Sequence, residues 1–243
     1  MNIIGVIPAR LKSTRLAEKM LIKVKGKTII QYVYENASRA KLIRKLYVAT
    51  DNIRIKKILE KNGCSVIMTS KKCKSGTERI REALRSIKAN INDIIVNIQG
   101  DEPGLEPRLI DRVIDALIKE KKFDMATLAS PITSTEEMID PGVVKVVAGA
   151  EGNALYFSRA PVPFNRDRPG AARQALKHIG IYAYRKGVLD RWPGMKSNYE
   201  KIEKLEQLRA IENGCLIKVV VARSRSIGID TKEDLKKFKK SIR

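Results

Sequence analysis

The first half of the chain alternates short apolar runs with segments in which apolar residues recur at helical spacing. The apolar runs predict strands at residues 2–7, 45–50, 65–68, 93–98 and 125–129. The helical spacing predicts helices at residues 28–39, 53–61, 75–87 and 107–121. Repeated strand–helix order favours an α/β fold with a mostly parallel, doubly wound sheet. Ligands bind such sheets at the carboxyl ends of strands, so the segments after Ile7 and Ile98 are the first candidates for a site.

The second half of the chain is less regular. It predicts strands at residues 143–148, 154–157, 178–185 and 216–222, a helix at 204–212, and a last helix that Asp230-Thr231 caps. Residues 159–173 are rich in Pro, Arg and Asp and predict a long loop, which in a compact domain is often functional or mobile. With no internal repeat and no separating linker, we predict a single domain over residues 1–243.

The charge balance is strongly basic: 49 Lys and Arg stand against 27 Asp and Glu, a net charge of +22. This favours either a nucleic-acid or anionic-membrane partner, or a lysine-rich surface around a site for polyanionic small molecules. The basic residues are spread along helices, with the densest stretch at 232–243, and aromatic residues make up only 5% of the chain. Nucleic-acid binding is therefore the less favoured main function.

Two further observations concern the protein's compartment. No apolar run approaches the roughly 18 residues that a membrane span needs, and the first residues lack a basic leader, so we expect a cytoplasmic protein without a membrane span. The three cysteines, Cys64, Cys73 and Cys215, are far apart and form no CxxC pair, so we predict free thiols.

Two loops at strand ends carry candidate chemistry. The first, Ile7-Pro8-Ala9-Arg10-Leu11-Lys12-Ser13-Thr14-Arg15-Leu16 with Lys19, brings four basic side chains and two hydroxyls together. It can bind a triphosphate or can be a solvated basic loop, and it is not a glycine-rich phosphate loop because it contains no glycine. The second, Asn97-Ile98-Gln99-Gly100-Asp101-Glu102-Pro103, can hold Mg²⁺ through a carboxylate or can be an ordinary acidic turn.

Several segments match the motifs of one protein family, both in residue sequence and in their order along the chain. They are IPARLKSTRL from residue 7, SGTER at 75–79, NIQGDEP at 97–103, VVKVV at 143–147, EGNALYFSRAPVP at 151–163, HIGIYAYR at 178–185, LEQLRAIENG at 205–214 and GIDTKEDL at 228–235. In this order they resemble the 3-deoxy-manno-octulosonate (Kdo) cytidylyltransferase family over nearly the whole length. Collinear motifs are far more specific than any one of them.

The resemblance implies a nucleotide-diphosphosugar-transferase-like α/β sheet with a smaller β-rich dimerisation lobe. It implies a nucleotide-binding half at about residues 1–130 and a sugar-binding and dimerisation part at about 131–243. The implied reaction transfers CMP from CTP to Kdo with Mg²⁺, in a homodimer, for lipopolysaccharide synthesis. Two alternatives stay open: the same reaction on another acidic sugar such as an 8-amino Kdo analogue, and a non-catalytic, basic nucleic-acid-binding protein on this scaffold.

The resemblance also assigns residues to three groups. The nucleotide contacts it implies are Ala9, Arg10, Ser13, Thr14, Arg15, Lys19, Ser75, Gly76, Arg79 and Gln99. The sugar contacts it implies are Gln99, Arg159, His178, Tyr182, Glu206 and Gln207. Asp101 and Asp230 resemble the metal-binding carboxylates, and with Arg10 and Lys19 they form the implied catalytic set.

The chain departs from the family pattern in the phosphate loop, where Ala17, Glu18 and Met20 replace two prolines and a glycine. Prolines restrict a loop, so we expect this loop to be more mobile before CTP binds. Cys73 stands where many relatives carry His, which puts any nucleotide contact at that position in doubt.

Overall fold

A computed structural model of the chain describes residues 1–11, 16–167, 174–224 and 226–242. Contacts divide it into two compact units, Met1–Asp111 with Ser224–Arg243, and Arg112–Arg223. The sequence division near residue 130 is a prediction about function. By contacts, the C-terminal segment belongs with the first unit.

The elements follow each other in the alternating order that the sequence predicts for the first half. The strands are β1 (Ile3–Ala9), β2 (Lys23–Val24), β3 (Lys27–Thr28), β4 (Lys45–Thr50), β5 (Val66–Met68), β6 (Ile94–Ile98), β7 (Met125–Pro131), β8 (Lys145–Ala148), β9 (Ala154–Ser158), β10 (Leu176–Arg185) and β11 (Ile217–Val221). The α-helices are α1 (Ile29–Ser38), α2 (Ile53–Lys61), α3 (Gly76–Ile87), α4 (Pro107–Lys119), α5 (Thr135–Ile139), α6 (Lys186–Arg191), α7 (Tyr199–Glu203), α8 (Gln207–Glu212) and α9 (Lys232–Ser241).

The first unit is built on a parallel sheet with the strand order β6–β1–β4–β5. Strand β1 is apolar on both faces, and its residues Val6 and Ile7 are fully buried, as expected for a parallel strand that is covered on both sides. The fold class that the sequence predicts, α/β with a mostly parallel sheet, is confirmed. The hairpin of β2 and β3 was not predicted, and its turn places Lys25 and Gly26 at positive φ.

Side-chain caps set where the helices of the first unit begin. Thr28 and Gln31 form a capping box at the start of α1, and Asn52 accepts the backbone N–H groups of Arg54 and Ile55 at the start of α2. Ser75 accepts the N–H of Glu78 and starts α3. These polar residues satisfy N–H groups that have no partner within the helix. The predicted starts of these helices are therefore confirmed.

The second unit has a sheet in which only β11 and β7 pair in parallel, whereas β7–β10, β10–β8 and β8–β9 are antiparallel. The prediction of one helix at 204–212 is wrong at its start. Lys204 has φ +55° and ends α7, so α8 begins only at Gln207. None of the helices in the described ranges is long and apolar enough to cross a membrane.

Candidate active site

The carboxyl ends of β1 and β6 approach each other closely in the first unit. A Cβ atom on Gly100 would lie 3.0 Å from the carbonyl oxygen of Pro8 and 3.2 Å from the side chain of Met20. Gly76, at the start of α3, also packs against Pro8, with 3.5 Å between its ideal Cβ position and the ring. The backbones of the two strand ends therefore lie close together at the edge of the sheet where the sequence predicts a ligand, and a side chain at residue 100 would be tightly packed against Pro8 and Met20.

Three predicted residues from distant parts of the chain meet at this edge. The ammonium of Lys19 donates to Asp101 Oδ2 and to Asp230 Oδ1, each at 2.8 Å. The backbone N–H of Ile229 donates to the carbonyl oxygen of Asp101 at 2.8 Å and so brings Asp230 to the end of β6. The Lys19 side chain is only 7% exposed, whereas both carboxylates remain partly open to solvent.

The charges of this triad stabilise one another. Burial alone lowers the pKa of Lys19, but Asp101 and Asp230 outweigh it, so the net shift of that pKa is upward and the amine stays charged. The triad carries one net negative charge. This charge favours binding of a further cation, alone or together with phosphate groups that coordinate it.

The two carboxylates of the triad fit a Mg²⁺ ion that also binds waters and substrate phosphates. Mg²⁺ prefers oxygen ligands and is commonly held by one or two carboxylates together with waters and substrate phosphates. Asp101 and Asp230 supply two such carboxylates. In the described part of the chain, no cluster of three or more His, Cys, Asp or Glu could hold a metal without help from a substrate. These two carboxylates would supply two of the six ligands of an octahedral Mg²⁺ ion, and the rest would come from waters and substrate.

Glu102 is a member of this site that the sequence analysis did not assign. Ser226 donates its hydroxyl to Glu102 Oε2 at 2.5 Å, and a Cβ on Gly228 would lie 3.2 Å from Glu102 Oε1. Burial raises the pKa of Glu102 to about 7, Ser226 opposes the rise, and Asp101 adds to it. Its position beside Asp101 in the NIQGDEP segment was the available signal.

The start of α3 holds the other predicted nucleotide contacts. Ser75 caps the helix, and Arg79, 3% exposed, lies one turn further. The guanidinium of Arg79 donates to Thr69 at 2.6 Å and to Asp51 at 3.1 Å. Arg79 thus ties α3 to the segments after β4 and β5. A direct contact of Arg79 with the base or ribose stays a prediction.

The phosphate loop is described only in part. Arg10 is exposed directly after Ala9, whereas Ser13, Thr14 and Arg15 lie outside the described residues. Glu18, one of the departures from the family pattern, accepts a two-pronged ion pair from Arg54 of α2. An exposed pair of this kind contributes little, so the expectation of a mobile loop stays a prediction.

The thiol of Cys73 donates a hydrogen bond to Glu82 of α3. The sulfur lies 3.0 Å from Glu82 Oε2, and burial together with Glu82 raises the pKa of the thiol to about 11. The free-thiol interpretation is confirmed for all three cysteines. Cys73 therefore stays protonated at neutral pH and does not serve as a nucleophile.

In the second unit, Arg159 is held by backbone. Its Nε donates to the carbonyl oxygen of Glu203 and its Nη1 to that of Pro141, each at 2.8 Å. Its own N–H donates to Glu203 Oε2 at 2.9 Å. The side chain is thus oriented by neutral acceptors, and its charge is not consumed by an ion pair with a described residue. Such an arginine suits a carboxylate ligand.

His178 and Tyr182 lie on one face of β10, as predicted, with their ring centroids 5.1 Å apart. A bulge between Ile179 and Tyr182 breaks the pairing with β7 without separating the two rings. Thr127 lies 2.9 Å from His178 Nε2 and donates its only hydroxyl hydrogen to the carbonyl oxygen of Ile181, so Nε2 carries a hydrogen and donates to Thr127. Burial lowers the pKa of His178 to about 3 and raises that of Tyr182.

The predicted neutral state of His178 has a measurable consequence for stability. The pKa is near 6.5 in the unfolded chain and about 3 in the folded one, so only the unfolded state binds a proton as the pH falls through this window. The stability that His178 contributes is present above pH 6.5 and is lost as the pH falls toward 3. Between pH 7 and pH 5 the free energy of unfolding should fall by about 1–2 kcal/mol more in the wild type than in His178→Gln.

Denaturant titrations of both proteins at several pH values measure this difference. Because His178 is the only histidine, no other imidazole contributes. Equal pH dependence of the two proteins would show that His178 titrates normally in the fold.

The last two predicted sugar contacts meet at the start of α8. Glu206 is the residue before the helix and Gln207 its first residue, 5% exposed. Within a helix, adjacent side chains point in different directions. At a helix start both can reach one ligand, and Glu206 and Gln207 lie at such a start. The structure thus gathers Lys19, Asp101 and Asp230 into one cluster in the first unit and His178 with Tyr182 into another in the second.

Known proteins resemble this chain over its whole length. A family model described as cytidylyltransferase matches residues 4–233. The chain is 43% identical to the 3-deoxy-manno-octulosonate cytidylyltransferase of Geobacter sulfurreducens over all of both chains. It is 44% identical to the enzyme of that name from Thermodesulfovibrio yellowstonii, covering 98% of this chain and 97% of the relative.

Solved structures give the same result. A CMP:2-keto-3-deoxy-manno-octonic acid synthetase complexed with CTP superposes with a TM-score of 0.90 at 36% identity, covering 99% of this chain and 98% of the other. A cytidylyltransferase from Leptospira borgpetersenii superposes with a TM-score of 0.66 at 19% identity over all of this chain and 87% of the other, which is a likeness of fold alone. The chain belongs to the 3-deoxy-manno-octulosonate cytidylyltransferase family.

Proposed function

We propose that the protein transfers CMP from CTP to 3-deoxy-D-manno-octulosonate and releases pyrophosphate, supplying CMP-Kdo for lipopolysaccharide synthesis. The observation that carries the proposal is the meeting of Lys19, Asp101 and Asp230 in a fold matched over its whole length by relatives of this activity.

The reaction needs no covalent intermediate. The anomeric 2-hydroxyl oxygen of the sugar attacks the α-phosphorus of CTP, a P–O bond forms, the P–O bond to pyrophosphate breaks, and the hydroxyl proton leaves to solvent. Charge builds on phosphoryl oxygens, so positioning and electrostatic stabilisation carry most of the catalysis. In this proposal Arg10 and Lys19 neutralise the triphosphate and the leaving group.

We propose Mg²⁺ as the cofactor, held by Asp101 and Asp230 and completed by waters and CTP phosphates. When bound, Mg²⁺ polarises the α-phosphate and lowers the pKa of a coordinated hydroxyl. The residues around this pair have matching tasks. Gly100 lets the ends of β6 and β1 lie close together, and Lys19 balances the carboxylates before substrate arrives.

Apart from Gln99, the proposed sugar contacts lie in the second unit. Arg159 forks onto the sugar carboxylate, and His178, Tyr182, Glu206 and Gln207 contact its hydroxyls. His178 offers only a neutral imidazole at physiological pH, so it serves as a hydrogen-bonding partner and not as a cation.

We further propose a cytoplasmic homodimer. Support comes from large apolar side chains that the second unit exposes, among them Leu155 at 53%, Phe164 at 71% and Ile202 at 76%. Exposed apolar side chains mark protein contacts where they form one contiguous patch. Light scattering should give the mass of two chains. The mass of one chain at micromolar concentration would contradict the dimer.

Pyrophosphate release from CTP and Mg²⁺, measured with and without Kdo, tests the function. We expect release only when Kdo is present. Release with another acidic sugar but not with Kdo would retain the chemistry and change the substrate. No release with any acidic sugar would contradict the enzymatic function.

A further inference from the structure

Lys145 is a fully buried lysine in β8 that the proposed mechanism does not use. Its ammonium donates to the backbone carbonyl oxygen of Asp140 at 2.9 Å. No carboxylate of the described residues forms an ion pair with it. Burying an ammonium against a neutral acceptor is costly, and an isolated buried charge is normally paired. Its retention in a strand that would otherwise be apolar points to a task that needs the charge.

Lys145 and Arg159 are held by the same turn. Lys145 binds the carbonyl oxygen of Asp140, and Arg159 Nη1 binds that of the next residue, Pro141. Lys145 also lies opposite Ser158, the residue before Arg159, in the pairing of β8 with β9. The position of the Arg159 fork therefore depends on a turn that Lys145 fixes.

The two carboxylates near these cations accept hydrogen bonds from groups other than the lysine ammonium and the arginine guanidinium. Glu203 accepts the Ser158 hydroxyl at 2.7 Å and the backbone N–H of Arg159, and the exposed Asp140 side chain accepts the N–H of Gly142. Both cationic side chains thus bind neutral carbonyl oxygens within the described part of the chain. Burial lowers the pKa of Lys145, the carboxylate of Asp140 opposes this, the Arg159 charge adds to it, and Glu203 opposes it, so the lysine lies within interaction range of Arg159 and of both carboxylates.

We propose that Lys145 is a positioning and specificity residue for the carboxylate of the acidic sugar. It fixes the 140–141 turn that orients Arg159, and its charge adds positive potential where Arg159 receives the carboxylate. The inference rests on the proposed function, in which Arg159 contacts that group. Lys145 itself is too deeply buried to touch the sugar.

The test compares Kdo with its carboxamide derivative, which keeps the sugar but loses the negative charge. Lys145→Met should weaken the equilibrium affinity for Kdo by about tenfold and the affinity for the carboxamide much less. The KM for CTP should not change, because the CTP contacts lie in the first unit. Calorimetric titration measures affinity without relying on turnover.

A second variant of Lys145 separates the effect of its hydrogen bond from the effect of its charge, and a variant of Lys186 serves as the control. Lys145→Gln keeps an N–H donor for the Asp140 carbonyl and removes the charge. If charge matters, it should show the same loss of carboxylate preference as Lys145→Met. It also serves if Lys145→Met fails to fold. Lys186→Met, a matched loss of charge in a surface pair with Asp190, should leave both affinities unchanged.

Coupling to Arg159 gives a second readout. Arg159→Met alone should abolish most of the carboxylate preference, and adding Lys145→Met should then change little, because residues that act as one unit are not additive. Full additivity would overturn the inference. So would an equal loss of affinity for Kdo and the carboxamide in the lysine variants, which marks a merely structural role.

The outcomes distinguish a failure of this inference from a failure of the proposed function. Kdo-dependent pyrophosphate release by the wild type tests the function alone. If the wild type turns over Kdo and Lys145→Gln keeps the full carboxylate preference, the inference fails and the function stands. If the wild type binds Kdo no better than the carboxamide, the inference fails whatever the activity.

Discussion

Asp101→Asn is expected to lower Kdo-dependent pyrophosphate release by at least about 10²–10³-fold at saturating CTP. Asparagine has almost the shape of aspartate, so the turn after β6 keeps its geometry. The change removes one of the two negative charges that face Lys19. It also removes half of the carboxylates that could hold Mg²⁺, so Mn²⁺, used as a probe in the presence of CTP, should bind more weakly.

The matched control is Glu60→Gln, which makes the same chemical change on an exposed position of α2 in the same unit. Its turnover should equal that of the wild type. The melting temperature of Asp101→Asn should stay close to that of the wild type, because both carboxylates of the triad remain open to solvent. Turnover within tenfold of the wild type, with unchanged Mn²⁺ affinity, would remove Asp101 from the catalytic set.

Sequence reasoning succeeds in the first unit because local rules act there. Asn52 and Ser75 cap helices that start where predicted, and the alternating pattern predicts the strands within two residues of their observed ends. Parallel strands place their carboxyl ends at one edge, so the ends of β1 and β6 were the expected place for a site. The resemblance named Lys19, Asp101 and Asp230 separately.

Long-range contacts are what the sequence could not supply. Nothing local says that Lys19 lies between Asp101 and Asp230, since the Ile229–Asp101 backbone hydrogen bond that brings them together spans most of the chain. The Ser226–Glu102 contact was missed for the same reason. These pairings depend on how the C-terminal segment returns to the first unit.

In the second unit the failures are conformational. The positive φ of Lys204 excludes it from the helix predicted at 204–212, and lysine gives no local sign of such a turn. Lys145 does have a local signal in the sequence, because it is one lysine among four valines. A charged residue inside an apolar strand requires an explanation from the fold, and here the turn at Asp140 supplies it.

Lys19→Met is expected to lower turnover by about 10²-fold or more while strengthening metal binding to the nucleotide-free protein. The two effects have one origin. In the free protein the ammonium of Lys19 already lies 2.8 Å from an oxygen of each carboxylate, in the place where a metal cation would compete for the same atoms. Methionine has similar length and no charge, so the local net charge changes from −1 to −2.

Coulomb attraction between this more negative pair and a divalent cation should raise Mn²⁺ affinity at least about tenfold. Paramagnetic titration of the free Mn²⁺ signal measures this without CTP or turnover. Asp101→Asn, which loses similar activity, should move metal affinity in the opposite direction. The pair of variants therefore separates a lysine that occupies the metal position from one that only contacts substrate.

Lys57→Met on the exposed side of α2 controls for a general loss of positive charge. It should leave both turnover and Mn²⁺ affinity unchanged. If Lys19→Met loses turnover but binds Mn²⁺ no more tightly than the wild type, Lys19 does not compete with the cation. Asp101 and Asp230 would then receive it through other oxygens, and the ammonium would act on the triphosphate alone. Tighter Mn²⁺ binding would instead mean that the ammonium of Lys19 and the cation compete for the same carboxylate oxygens.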